Sequence, residues 1–348
     1  LITTWNFPMA IPSWKLFPAL VAGITCVIKP ASDTPHSTSN LVQTLVDAGV
    51  PAGVINIVSG SGSAVGTPLV EHPDVRAISF TGSSSVGSYV AQRAAATFKP
   101  VSLEMGGKNA QIVLNDANLD LALDGALWGA FGTTGQRCTA TSRILLQKGI
   151  AAEFTQKLVA RAKALKIGSG LDESVEVGPQ VNPSQIETSA KYVEIALAEG
   201  AQVLCGGHAL TEGAYAKGTF FEPTVVGGVT PAMRIAREEV FGPVVSLIEF
   251  ETFDEAIAIA NSIDYGLSTA IYTRDVNRAF TAMRDLESGI TYINAPTIGA
   301  EVHLPFGGVK QTGNGHREGL GAIDFFTTWK AVYVDYSDKL QRAQIDNQ

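Results

Sequence analysis

Between Gly23 and Gly107, short β-branched runs alternate with stretches of helical pattern. Such strands need cover on both faces, so the alternation dictates βαβ units around a parallel sheet. Strands are predicted at Ile24–Lys29, Val54–Val58, Val75–Phe80 and Val101–Glu104, separated by three helices. The first helix, Pro35–Ala48, has Pro near its start and Gly49 just past its end, the punctuation helices prefer. The third, Ser84–Phe98, follows its strand through the glycine-rich turn Gly82–Gly87.

A second α/β block begins near Asn109. It is predicted as strand Ala110–Leu114, a helix through Phe131 capped by Asn115 or Asp116, strand Arg143–Gln147, helix Ala151–Leu165 and helix Ser184–Glu199. Short strands to Val226, strand Val244–Phe250, helix Asp254–Asn261, strand Ser268–Thr273, helix Val276–Leu286 and strand Ile290–Asn294 follow. Ala331–Tyr336 alternates as an edge strand would, and a polar run ends the chain. The 348 residues suit two to three domains.

The 33 acidic against 25 basic side chains, net −8, repel phosphate backbones and anionic lipid, so neither nucleic acid nor membrane is an expected partner. Phe17–Ile28, the most apolar stretch, is broken by Pro18, Gly23 and Thr25 and falls short of the roughly 18 residues of a span. Three cysteines, an odd and sparse set, point to a reducing, cytoplasmic setting. The five histidines show no metal-ligand spacing, so no catalytic metal is expected.

Two residues stand out as chemistry. Cys138 lies in the small-residue turn Gly132-Thr133-Thr134-Gly135-Gln136-Arg137-Cys138-Thr139, where Arg137 favours a thiolate. On this local sequence it reads equally as a nucleophile or as a structural thiol. Glu104 ends an apolar strand before Met105-Gly106-Gly107-Lys108. Apolar surroundings raise a carboxyl's pKa and suit a general base, while an ion pair with Lys108 is the plain alternative. The Gly82–Gly87 turn could meet a phosphate with its N–H groups, yet it departs from the G-x-G-x-x-G dinucleotide fingerprint.

Taken together, seven segments resemble the aldehyde dehydrogenase superfamily. They are Trp5-Asn6-Phe7-Pro8, Lys29-Pro30-Ala31-Ser32, Phe80-Thr81-Gly82-Ser83, Leu103 to Lys108, Gly135 to Cys138, Glu238 to Pro243, and Pro305-Phe306-Gly307-Gly308. The resemblance implies an α/β fold with a Rossmann-type NAD(P)-binding domain over 1–106, a catalytic domain over 107–330, and an oligomerisation strand and tail over 331–348. It implies that Cys138 attacks an aldehyde, that the Asn6 amide and Cys138 N–H hold the oxyanion, and that Glu104 activates the water that releases a carboxylic acid. For NAD or NADP it implies contacts from Trp5, Lys29, Ser32, Gly62, Ser83, Glu239 and Phe241. Ser32 stands where one version of the family has Glu, and it leaves room and a donor for a 2′-phosphate, so NADP should be accepted.

The segments Gly135–Arg143 and Gly299–Pro305 look most like α-ketoglutaric semialdehyde dehydrogenases, with succinate-semialdehyde dehydrogenases nearby. Such substrates carry a far carboxylate. Arg137 is a candidate to pair with it, tuning of Cys138 being its alternative role, and Trp14 and Phe306 would line the tunnel. Glu318 matches a second family carboxylate only across an extra residue. A CoA-acylating enzyme would not need Glu104, and an idle scaffold would most simply lack Cys138, Asn6 or Glu104. The opening Leu1–Pro8 reads as a strand entered part-way, and roughly 150 residues usual in the family before Trp-Asn-Phe-Pro are missing, so a fragment is expected. The family also implies a homodimer or homotetramer.

Overall fold

The computed structural model describes residues 1–315 and 319–340. Glu318 and the chain beyond Leu340 lie outside the described residues.

The first α/β unit contains α1 (Ala10–Val21), β1 (Cys26–Ile28), α2 (Pro35–Asp47), β2 (Ile55–Ile57), α3 (Thr67–Glu71), β3 (Ile78–Thr81), α4 (Ser84–Ala95) and β4 (Val101–Glu104). β1 pairs with β2, and β3 with β4, all in parallel. Ile2 bridges in parallel to both Lys29 and Phe80, so Leu1–Thr3 joins the two pairs into one sheet. All four strands and the outer helices fall where the alternation predicts them.

The sequence reading missed α1. Pro12 and Pro18 argue against a helix there, since Pro18 removes the N–H that would bond to the Trp14 carbonyl. Burial overrides that cost: Ile11, Leu16 and Ala19 are completely buried, and the ammonium of buried Lys15 donates to Ser79 Oγ at 2.6 Å.

The second unit runs through β5 (Asn109–Val113), α5 (Leu119–Phe131), β6 (Thr141–Gln147), α6 (Lys148–Ala164), α7 (Pro183–Ala198), β7 (Gln202–Cys205), β8 (Ala209–Leu210), β9 (Phe220–Phe221) and β10 (Thr224–Gly227). It continues with α8 (Arg234–Arg237), β11 (Val244–Phe250), α9 (Phe253–Asn261), β12 (Tyr265–Gly266), β13 (Ser268–Tyr272), α10 (Val276–Asp285), β14 (Ile290–Ile293), β15 (Val309–Lys310) and α11 (Gly319–Phe325). Seven strands form one sheet in the order β14-β13-β5-β6-β11-β10-β7, parallel except for β7 at its edge. Alternate residues of one strand feed different cores: Ala110 and Ile112 pack on one face, Val113 on the other. That is why the central strands are apolar throughout rather than alternating.

The cap of α5 is Asn118, which accepts the Leu121 N–H, and not Asn115 or Asp116. Asp116 is instead held by the Thr273 hydroxyl and the Arg274 N–H. Ala331–Tyr336 pairs with no strand among the described residues and is exposed, Tyr333 at 95%. A strand needs a ladder partner, and nothing described in this chain supplies one.

One buried cation ties this unit together. Arg143, on β6, donates Nε to Lys108 O at 2.9 Å, and Nη1 and Nη2 to Ile259 O and Ala260 O at 3.0 Å each. The last two carbonyls end α9, where the helix dipole favours a positive charge. Burial, reinforced by the charge of Arg237, lowers the Arg143 guanidinium to about 9. Arg143→Met takes a donor from the Lys108 and Ala260 carbonyls, at about 1–3 kcal/mol each, while Ile259 O keeps the Ser262 hydroxyl at 2.9 Å. A drop of about 2 kcal/mol or more is expected in urea unfolding, and an unchanged midpoint would refute this account of the cation.

Candidate active site

The site forms where the carboxyl ends of β3 and β4 meet the loop entering β6. Cys138 opens on a pocket of about 220 Å³ that is also lined by Trp5, Asn6, Ser83, Met105, Glu239 and Phe241. Residues separated by more than a hundred positions are thus brought to one wall.

Glycines make this packing feasible. A Cβ on Gly107 would lie 2.6 Å from the Cys138 carbonyl oxygen, and one on Gly106 would collide with the Glu239 carboxylate. Gly135 has φ +66°, and a Cβ there would strike the Gly242 carbonyl. Asn109 Nδ2 donates to Cys138 O at 2.7 Å and to Ala140 O at 2.9 Å, pinning the loop behind the sulfur. Cys138 itself is half-buried, whereas Cys26 and Cys205 are buried strand residues, and burial raises both of their thiols.

Asn6 Nδ2 donates to Gln136 O at 3.1 Å, which uses one of its two hydrogens and leaves the second for a ligand. Glu104 ends β4 and is only 2% exposed. It precedes Met105 and Gly106 of the pocket lining without itself lining the pocket. The carboxylates whose charge acts on Lys108 are those of Glu239 and Glu238. Lys108 lies near Glu239, whose Oε1 accepts the Gly107 N–H at 2.9 Å. Burial pushes the Glu239 carboxyl up to about 7 against the pull of the Gly107 N–H and Lys108. Burial also brings the Lys108 ammonium down to about 7, helped by Arg143 and opposed by Glu239 and Glu238.

A second cleft, about 430 Å³, continues from the first through Thr4, Trp5, Thr81, Gly82 and Ser83. Lys29 and Gly62 line it. The Lys29 ammonium donates to Pro30 O at 3.0 Å, and burial lowers its pKa. Ser83 caps the 12-residue α4, so that helix's positive end faces the cleft. A cation, a helix N-terminus and bare glycine backbone along an apolar cleft fit an anionic dinucleotide. Ser32 is exposed and lines neither cleft, and beside it the Asp33 carboxylate accepts from Asn182 Nδ2 at 3.1 Å.

Phe241 packs edge-on to Trp5, 5.4 Å between centroids. Its φ of +59° is an uncommon setting for a bulky residue. Gln185 Nε2 holds it there by donating to the Val240 and Phe241 carbonyls. Gln185 also lines the pocket and was missed from sequence, because a glutamine in the first turn of α7 carries no distinguishing pattern.

Beyond Asn6, rings form a row. Phe7 lies 6.4 Å from Trp14, and Trp14 stacks on Phe306 at 6.3 Å. The Arg137 guanidinium sits between Phe7, at 5.3 Å, and Trp128, at 5.2 Å. Burial lowers its pKa, and the nearby Cys138 charge raises it. Phe7 and Trp128 join Trp14, Arg137 and Phe306 here although the sequence reading gave neither a role.

A half-buried thiol lies between a cleft that fits a dinucleotide and a row of rings, the arrangement of an oxidoreductase site. The chain belongs to the aldehyde dehydrogenase family, whose model matches residues 1–332, and it is therefore an oxidoreductase acting on aldehydes. It is 45% identical over 334 residues to an alpha-ketoglutaric semialdehyde dehydrogenase of Bacillus subtilis, covering 96% of this chain and 68% of the relative. It is 43% identical over 333 residues to a betaine aldehyde dehydrogenase of Rhizobium leguminosarum, covering 96% and 68%. Among solved structures, a putative aldehyde dehydrogenase from Burkholderia cenocepacia superposes with TM-score 0.96 at 40% identity, covering 98% of this chain and 70% of that one. A betaine aldehyde dehydrogenase from Staphylococcus aureus in complex with NAD+ superposes at 0.95 with 38% identity, covering 97% and 69%. Family and neighbours together support use of NAD(P). Among the described residues no helix is long and apolar enough to cross a membrane, and no group of three or more His, Cys, Asp or Glu could hold a metal.

Proposed function

We propose that this chain oxidises a short semialdehyde, of the α-ketoglutaric or succinic type, to the dicarboxylic acid with NAD(P)+. The Cys138 thiolate adds to the aldehyde carbon, and its sulfur forms the new bond of a thiohemiacetal. The resulting oxyanion is met by the free hydrogen of Asn6 Nδ2 and by the Cys138 N–H, donors aimed where negative charge develops. Trp5, Lys29, Gly62, Ser83, Glu239 and Phe241 hold the dinucleotide, whose chemistry when bound is that of a hydride acceptor. The thioester left on the sulfur is opened by water, from which Glu104 removes the proton. The thiol leaves, and the carboxylic acid is released.

The observation that carries the substrate class is the seat of Arg137. Phe7 would attract a cationic substrate with its ring face, and in this chain a guanidinium already occupies that face. A quaternary ammonium aldehyde would meet like charge there, whereas a carboxylate meets its partner. Two semialdehyde dehydrogenases at 45% identity, from Bacillus subtilis and Haloferax volcanii, agree with this choice.

We infer the same division of labour as the sequence implied: 1–106 binds the cofactor, 107–330 carries catalysis, and 331–348 serves oligomerisation in a homodimer or homotetramer. A reducing cytoplasm would keep Cys138 a thiol. NADP acceptance rests on Ser32, which offers a hydroxyl where a carboxylate would repel a 2′-phosphate.

The test is absorbance at 340 nm with succinic semialdehyde, α-ketoglutaric semialdehyde and betaine aldehyde, each with NAD+ and NADP+. The semialdehydes are expected to be turned over and betaine aldehyde poorly. Ser32→Glu is expected to cut NADP+ use by about ten-fold or more while sparing NAD+. Preference for betaine aldehyde would overturn the substrate class, and an unchanged NADP+ rate would remove Ser32 from cofactor choice.

A further inference from the structure

The loop before Cys138 is strained in a way that catalysis by the thiol does not require. Thr133 (φ 56°, ψ 29°) and Thr134 (φ 58°, ψ 32°) are consecutive β-branched residues in the left-handed region, followed by Gly135 at φ +66°. Such settings cost free energy and persist only where the surroundings impose them. Thr134 Oγ1 donates to Gly178 O at 3.0 Å, which fastens the turn to the body of the protein. The turn in consequence aims Thr133 Oγ1 at Arg137, whose Nε donates to it at 2.8 Å.

That bond, with the two rings, fixes the guanidinium in position and in plane. Its Cζ lies over both the Trp128 ring on α5, at 5.2 Å, and the Phe7 ring after Asn6, at 5.3 Å. Nε is committed to Thr133, the only protein acceptor of this side chain among the described residues. The Nη1 and Nη2 edge is left, and two parallel N–H donors are what a carboxylate accepts bidentately. A freely rotating arginine would lose its rotamer freedom on meeting a ligand, whereas this one has already lost it.

We propose that Thr133 and Trp128 are positioning residues of a carboxylate receptor: they hold Arg137 so that its Nη pair takes the far carboxylate of a substrate whose aldehyde carbon is at Cys138. The inference rests on the reading of the chain as a semialdehyde dehydrogenase. Because the receptor is the residue next to the nucleophile, it suits a short chain between the two ends of the substrate. It also separates the two roles open to Arg137. A guanidinium placed only to stabilise the thiolate needs no clamp that keeps its Nη edge open.

The experiment measures protection of Cys138 in the full chain from iodoacetamide, by mass spectrometry of its peptide, with succinate or butyrate as competitor. These acids differ in one carboxylate, and no turnover is needed. In the unmodified chain succinate is expected to protect about 10- to 100-fold better than butyrate. Thr133→Ser is expected to keep most of that preference. Thr133→Ala and, at the surface, Trp128→Leu are each expected to lose about ten-fold of it with the pH profile of alkylation unmoved. Equal protection by the two acids, or a preference that survives Arg137→Met, would overturn the receptor. So would a shifted alkylation profile with the preference intact in Thr133→Ala, since Arg137 would then tune the thiol. Absence of semialdehyde oxidation in the separate 340 nm assay, with succinate still preferred, would fault the functional reading and leave the receptor standing.

Discussion

Cys138→Ala is expected to abolish aldehyde oxidation, with a fall of about 10⁴-fold or more in kcat, because no other group can form the covalent adduct. Cys26 and Cys205 cannot substitute: both are buried in strands, away from the pocket that holds Asn6, Glu239 and Phe241. The fold should be indifferent to the change, since a half-buried thiol at the end of a loop contributes little packing. Unfolding midpoints of the variant and the parent should therefore agree. Residual turnover above about one part in a thousand would place the nucleophile elsewhere.

Glu104→Gln is expected to separate the two halves of the reaction. The amide matches the carboxylate in shape but cannot take a proton from water, so the thioester on Cys138 should accumulate. A burst of NADH no larger than the enzyme present, followed by a steady rate reduced about 10²- to 10⁴-fold, is the signature. Mass spectrometry of the quenched protein should show the acyl group on the Cys138 peptide. A burst absent altogether would make Glu104 necessary for the first half, and an undiminished steady rate would strip it of the role of base. The burial of Glu104 at the tip of β4, just before the pocket lining, leaves its access to that water to the Met105–Gly107 turn.

How far the sequence carried this picture depended on the kind of signal. Parallel strands buried on both faces write themselves as apolar runs, so Val244–Phe250 is found residue for residue and its neighbours to within two or three. α1 is invisible because its evidence is tertiary: two prolines speak against a helix, and only the packing of Ile11, Leu16 and Ala19 overrules them. Cys138 and Glu104 were legible as residues out of place in their local surroundings. The partners that matter to them were not. Gln185 and Phe7 act through contacts with residues far along the chain, Trp128 reaches Arg137 only because α5 and the turn after it fold back, and Glu239 reaches Gly107 across 132 positions.

The three residues Trp5, Asn6 and Phe7 look outward in different directions: Trp5 to Phe241 beside the dinucleotide cleft, Asn6 to the nucleophile loop, Phe7 to Arg137. On the proposed reading, the wall between coenzyme and substrate is thus a single thickness of chain that bends at all three residues. A wall so thin cannot be remodelled on one side alone. Inserting or deleting one residue would hand the duties of each to its neighbour, and reshaping Phe7 for a new aldehyde would be transmitted through the backbone to Trp5. Selectivity for the aldehyde and affinity for the coenzyme are in this protein one inherited trait, and breeding for either will drag the other along.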